Sequence, residues 1–262
     1  MKKIGFTLAE VLITLGIVGV VAALTAPALV QNAGTAQIGP KLAKAVSTIE
    51  TATETTLLEE GESSIYSMMG DVKTGDVSNF TEKLKDHMKM SKLDDENLTG
   101  KWDDKTIKAY DGTNAVVNMF SSQNYYGDVG YKASSNKIVK YISKEGMIYT
   151  FSRGKALKDQ SNRNIGKSPA HQIMGSVMID VNGTAAPNRF GKDIFVFSWW
   201  NDGSLRAFGS KDFTFNENSS QGSGETEKKF YWAETCSENG VTNSGLFCAG
   251  SVFENNLKVV YQ

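Results

Sequence analysis

Four oxygen-bearing side chains, Asp180, Asn182, Asn188 and Asp193, fall within fourteen residues of one another. They lie in Asp-Val-Asn-Gly-Thr-Ala-Ala-Pro-Asn-Arg-Phe-Gly-Lys-Asp, and two carboxylates with two amides are the hard oxygen donors that Ca²⁺ prefers. The spacing matches no EF-hand loop. Asx-turns around Asn-Gly and Pro-Asn need the same residue types with no cation, so the segment admits a calcium site or a metal-free turn. Cys236 and Cys248 are the only two cysteines. A close pair behind an export-type N-terminus predicts a disulfide in an oxidising compartment, against the alternative of two buried thiols. They form no metal site with His87 and His171, which are far away in sequence. The last residue with chemical potential is Glu10, an acid at the start of a long apolar run.

Catalysis needs a convergent constellation. The chain has no His-Glu-x-x-His, no Gly-x-Ser-x-Gly and no Walker-type loop, so no catalytic residue is assigned and an enzyme is not expected. A formal net charge of -1, with 22% charged residues and no basic cluster, gives no footprint for nucleic acid. With 40% hydrophobic residues the composition is that of a folded chain.

The elements that must position these residues begin at the N-terminus. Lys2 and Lys3 precede an uncharged stretch of 20 residues, Val11 to Val30. About 20 apolar residues at roughly 1.5 Å each cross a bilayer as a helix. The positive-inside rule keeps the lysines cytoplasmic and sends the remainder across. Ala26-Pro27-Ala28 has the form of a signal-peptidase site, but the apolar run is longer than a secretory signal requires. Neither a plain signal nor a plain anchor explains Glu10, because an acid beside hydrocarbon is costly without a partner. Gly16, Gly19, Ala22, Ala23 and Ala26 leave small surfaces that permit close helix packing in lipid.

Lys2-Lys3-Ile4-Gly5-Phe6-Thr7-Leu8-Ala9-Glu10-Val11-Leu12-Ile13 closely resembles the N-terminal signal of type IV prepilins and type II secretion pseudopilins. The resemblance implies cleavage by a prepilin peptidase between Gly5 and Phe6, with methylation of the new Phe6 amine. It implies that Glu10 pairs with the terminal amine of a neighbouring subunit, which gives the costly acid a partner. Pro27 resembles the proline that kinks the pilin stem. The Asp180–Asp193 segment is similar to one found in the heads of prepilin-like proteins, some of which bind calcium in a head loop. The stretch from Cys248 to Tyr261 resembles the disulfide-bonded C-terminus of such heads.

Further along, Ile38, Leu42, Val46, Ile49, Ala52 or Thr53, and Leu57 with Leu58 recur at helical spacing and predict an amphipathic helix to about Glu60, ended by Gly61. Gly34, Gly39 and Pro40 leave its continuity with the apolar run open. Asn79 with Glu82 predicts a capping box for a short helix to about Met90, with Phe80, Leu84 and Met88 inward and His87 beside that face. Strand patterns follow. Hairpins are expected over 106–110 with 115–120, and over 138–143 with 147–151. Strands are expected over 173–180 and 193–200, then a turn at Asn201-Asp202-Gly203 into 204–208. Phe195, Phe197 and Trp199 fall on one face of the 193–200 strand, and Ile194, Val196 and Trp200 on the other. Residues 211–229 are polar and predict a mobile loop or insertion.

The expected fold class is α+β and pilin-like, a long N-terminal helix packed on a globular antiparallel-sheet head. The expected organisation is a cleavable leader over 1–5, a stem helix over 6–60 that spans the membrane over about 8–30, and an extracytoplasmic head over 61–262. The expected function is a structural subunit of a type II secretion pseudopilus or a type IV pilus in the bacterial inner membrane. Its expected partners are the prepilin peptidase, other pilin or pseudopilin subunits and the lipid bilayer. The alternatives are a membrane-anchored or secreted binding domain that does not assemble, or a minor tip pilin that binds a partner.

Overall fold

The structure, a computed structural model, describes residues 7–69, 77–93, 107–113, 138–152, 173–210, 214–217, 226–229, 236–237, 240–241 and 245–261. The chain forms two compact units, Met1–Gln37 and Ile38–Gln262. Helix α1, Leu8–Glu60, begins in the first and ends in the second. Helical hydrogen bonding therefore persists past Gly34, Gly39 and Pro40. In the first unit, Leu8–Thr25 has a mean hydropathy of 2.3 and is 0% buried. A helix that is apolar all round and uncovered matches a membrane span or a signal sequence, not the core of a water-soluble domain.

In the second unit α1 has one buried stripe: Ile38, Leu42, Ala45, Val46, Ile49, Ala52 and Leu57, with Thr53 and Thr56 on the same side. The three- and four-residue spacing that predicted this face is the reason it forms. Leu58 departs from the expectation and is 74% exposed. Leu57 takes the inward position, and the next residue points about 100° away. Gly61, at φ 69°, closes the helix, its N–H reaching Leu58 O at 3.2 Å and that of Glu62 reaching Leu57 O at 2.9 Å. Two short helices follow, α2 (Ile65–Met69) and α3 (Ser78–Met88).

Helix α3 buries Phe80, Leu84 and Met88 as expected, and also Thr81. Its start differs from the expectation. Val77 is the N-cap, with no side-chain hydrogen bond, so Asn79 lies inside the helix and Asn79 with Glu82 form no capping box. Glu82 is instead drawn to Lys85 and accepts the Tyr141 hydroxyl at 3.3 Å.

Six strands form one antiparallel sheet in chain order: β1 (Ser91–Leu93), β2 (Ile138–Ile142), β3 (Ile148–Ser152), β4 (Ile173–Asp180), β5 (Ile194–Trp200) and β6 (Leu205–Ala207). The hairpin of β2 and β3 pairs Ile142 with Ile148 across a turn closed by the Gly146 N–H to Ser143 O. Strand β5 lies between β4 and β6 and is buried at every residue, which is why it is apolar on both faces. Trp199 stacks on Phe80 of α3 at 5.2 Å between ring centroids and meets Phe151 of β3 at 5.5 Å. Burying one such ring is worth about 1.5–3 kcal/mol, so Phe80 is one of the residues that hold α3 to the sheet, beside Leu84 and Met88.

Lys108 bridges in parallel to Arg189; of the hairpin expected over 106–110 with 115–120, residue 106 and the whole second strand lie outside the described residues. The polar stretch 211–229, expected as a mobile loop or insertion, holds an antiparallel pair, β7 (Thr214–Glu217) and β8 (Thr226–Lys229). A two-residue pair, β9 (Cys236–Ser237) with β10 (Gly240–Val241), leads to the C-terminal helix α4 (Cys248–Glu254). Beyond it the chain passes against α1 at Gly39, where an added Cβ would lie 1.8 Å from Leu257 O. Only a glycine lets the two backbones meet this closely. The architecture is α+β, an N-terminal apolar helix and an antiparallel-sheet domain.

Candidate functional site

At the N-terminus of α1, Thr7 and Glu10 bond reciprocally. The Thr7 N–H donates to Glu10 Oε2 at 2.8 Å and the Thr7 hydroxyl to the same oxygen at 2.9 Å. The Glu10 N–H returns a bond to Thr7 Oγ1 at 3.2 Å, and the Val11 N–H begins the helical ladder on Thr7 O at 3.2 Å. This is a capping box, which satisfies two donors that a helix start leaves orphaned. The pattern Thr-x-x-Glu before an apolar run was legible in the sequence, and the reading of Glu10 as an intermolecular partner passed over it. The carboxylate also lies at the positive end of the helix macrodipole, where an anion is favoured. Gly5 and Phe6 lie outside the described residues.

The second candidate is the loop between β4 and β5. It brings Asp180, Asn182, Asn188 and Asp193 together, with Asp193 at the hub. Asp193 Oδ1 accepts the Arg189 N–H at 2.6 Å, while Oδ2 accepts the Asn188 N–H at 2.8 Å and the Asn182 amide at 3.1 Å. The Asp193 carbonyl takes the Val181 N–H at 2.9 Å. Asp180 Oδ1 accepts the Asn182 N–H at 3.0 Å in an Asx-turn. The chain crosses a cis Ala186-Pro187 bond, and Asn188 sits at φ 48°, a left-handed conformation that asparagine tolerates well. Both carboxylates are withdrawn from water, Asp180 at 0% exposure and Asp193 at 3%. Burial pushes the Asp193 carboxyl above its ordinary value, and the N–H donors from Arg189, Asn188 and Asn182 work against that push.

The donors that meet the Asp193 carboxylate belong to the loop itself, so its oxygens fasten two backbone N–H groups and one side-chain amide. The four residues suggested for calcium are thus neighbours in one loop. Among the described residues no group of three or more His, Cys, Asp and Glu side chains is placed to hold a metal. His87 lies apart from this loop, its Nε2 3.0 Å from Glu59 of α1, and His171 lies outside the described residues.

No family model, no curated protein and no solved structure matches this chain. The site must therefore be read from its own residues.

Cys236 and Cys248 form a disulfide, with Cα atoms 5.2 Å apart and both residues fully buried. It ties β9 to the first residue of α4. Gly191 of the Asp193 loop packs against it, since a Cβ there would stand 2.8 Å from Cys248 Sγ. The bridge, the loop and the C-terminal helix thus brace one another. The remaining buried phenols are structural: burial pushes Tyr141 up to about 12 and drives Tyr149 and Tyr261 upward too, so none is prepared to ionise.

Proposed function

We propose that this chain is a prepilin-like structural subunit. It is cut between Gly5 and Phe6 by a prepilin peptidase and assembled through its N-terminal helix into a type II secretion pseudopilus or a type IV pilus. The observation that carries this reading is the uncovered apolar helix over Leu8–Thr25 with a single acid, Glu10, in its first turn, directly after Lys-Lys-Ile-Gly-Phe. Such a surface needs lipid or other helices around it. A bilayer in which Lys2 and Lys3 stay cytoplasmic puts the sheet domain on the far side, where the disulfide is stable. That compartment is the outer side of a bacterial inner membrane.

In this reading the capping box holds Glu10 while the subunit is alone in the membrane, and the new amine of a neighbouring Phe6 becomes its partner on assembly. A charge pair in low dielectric is far stronger than the same pair in water. The same capping box favours a second reading, a membrane-anchored or secreted domain that does not assemble. There Glu10 is satisfied within its own chain and needs no partner.

The mass and N-terminal residue of the mature protein separate the two. A chain that begins at methylated Phe6 supports the subunit; a chain that begins after Ala28, or keeps Met1, refutes it.

A further inference from the structure

The charge on the second unit is segregated. Along its stretch of α1, Lys41 and Lys44 come first, and Glu50, Glu54, Glu59 and Glu60 follow with no further lysine or arginine. Three other segments gather at the basic end. Leu257 packs on Gly39, where an added Cβ would lie 1.8 Å from Leu257 O. The Lys41 ammonium donates to Val181 O at 3.2 Å. Lys44 pairs with Glu145 at 2.8 Å, and the turn that carries Glu145 presses on the loop after β4, since a Cβ at Gly183 would fall 2.2 Å from Gly146 O.

These contacts bring Lys144 and Lys258, both exposed, to the same end. Lys44 is neutralised by Glu145. Lys41, Lys144 and Lys258 have no ion-pair partner among the described residues. Against these three cations stand Asp180 and Asp193, both buried, and Glu254, four residues before Lys258. The surface is therefore basic, and it is also where the chain enters the unit. Lys41 is the first charged residue after Glu10, and Ile38 comes eight residues after Val30, the end of the apolar run. Eight residues of helix rise about 12 Å. A headgroup layer takes up about 5–8 Å beyond the hydrocarbon, and charges act across about 8 Å at physiological salt. Lipid phosphates thus fall within reach of these lysines.

We propose that this basic end is a docking surface for the headgroups of anionic phospholipids, in the leaflet from which α1 emerges. The inference rests on the apolar run being a membrane span, as in the reading above, and holds whether or not the chain assembles. Lysine binds phosphate as a compact point charge and needs no shaped pocket. Each lysine held at an anionic surface multiplies binding about fivefold. The acids at the other end of α1 are repelled by the same lipids, so charge selects which end of the unit meets the membrane.

The test takes the full chain from its native membrane into vesicles of phosphatidylcholine, alone or mixed with phosphatidylglycerol. Lysines are acetylated with a membrane-impermeant reagent and read by peptide mass spectrometry. Labelling of Lys144 and Lys258 should fall at least fivefold in the phosphatidylglycerol vesicles. Lys89, exposed at the end of α3, should be labelled equally in both. Salt at about 1 M, which shortens the screening length to about 3 Å, should restore the labelling. Lys144→Glu should raise the labelling of Lys258 in phosphatidylglycerol about fivefold, with an unchanged Tm because the side chain is exposed. Equal labelling in the two lipids by a chain that floats with the vesicles overturns the proposal and leaves the span and the subunit reading standing. An equal loss at Lys89, protection that survives the salt, or Lys258 labelling unmoved by Lys144→Glu overturns it too. A chain stripped from the vesicles by carbonate overturns this proposal and the subunit reading together. The N-terminal residue of the same preparation reads the subunit claim separately: protection in a chain that keeps Met1 supports the lipid surface and refutes the subunit.

Discussion

Replacing Gly39 by alanine sets two physical effects against each other, and they differ in sign. In an exposed helix interior, Gly→Ala stabilises by about 1 kcal/mol through backbone entropy. Gly34 meets that condition, since nothing lies within 4 Å of an added Cβ. At Gly39 the added Cβ would stand 1.8 Å from Leu257 O, 2.5 Å from Leu257 C and 2.7 Å from its Cβ, where real Cβ contacts essentially never fall below 3.0 Å. The obstruction is mainly backbone, so no rotamer change relieves it. Leu257 is also pinned, its N–H on Val252 O at 2.9 Å and its φ at 62°. Overpacking of this kind costs about 1–3 kcal/mol, and a backbone obstruction belongs at the upper end. After the helix gain is subtracted, Gly39→Ala destabilises by about 2 kcal/mol. At about 2–4 °C per kcal/mol for a chain of this size, that is a fall in Tm of roughly 4–8 °C. Gly34→Ala should leave Tm unchanged or raise it. The assay is thermal unfolding of the full chain in detergent micelles, followed by near-ultraviolet circular dichroism, to which buried Trp199 and Trp200 contribute. A Gly39→Ala chain that melts at or above the wild-type temperature would refute the claim that the C-terminal segment rests on α1.

Three further outcomes are expected. Converting Cys236 and Cys248 to serine opens a bridge between residues 12 apart and should cost about 3 kcal/mol on the chain-entropy account; a reductant titration should lower the wild-type Tm by the same amount and leave the variant unmoved. Because burial raises the Asp193 carboxyl above its ordinary 3.8, the native state holds more protons than the unfolded one between those two values. The Asp193 contribution to stability therefore falls as pH rises through that window. Asp193→Asn should remove this dependence, and also weaken the loop by turning an amide donor towards either the Arg189 N–H or the Asn188 N–H and Asn182 amide; equal pH slopes in the two chains would count against it. Glu10→Gln should insert into membranes as well as wild type but incorporate poorly into filaments, and wild-type incorporation would count against an intermolecular charge pair.

Much of the fold was legible because its signals are local. A buried stripe every three or four residues specified α1 from Ile38 onward, and the β2–β3 hairpin and strands β4 and β5 followed from apolar runs bounded by turn residues. The failures share a cause. Asn79 with Glu82 has the composition of a capping box, but Lys85 and Tyr141 compete for the carboxylate, and only packing decides that competition. Thr7 with Glu10 has the same signature and does form the box. Lys108 also bridges to Arg189, a long-range contact that no local pattern records. The candidate calcium residues do gather in one loop, while two of the donors that meet the Asp193 carboxylate are backbone N–H groups, those of Asn188 and Arg189, a donor that nearly every residue carries.

The sequence by itself determined the N-terminal chemistry: two lysines, a glycine and phenylalanine, and an acid at the head of a span-length apolar helix. Hydrophobic length and charge placement are one-dimensional quantities, so they are complete in the sequence. Tertiary structure alone decided why Gly39 is a glycine, how Asp193 fastens its loop, and that the disulfide bears on Gly191. Gly39 and Gly191 each meet a segment far away in the chain, the Asp193 bonds depend on how its own loop folds back, and neither kind of close approach in space leaves a trace in the order of residues.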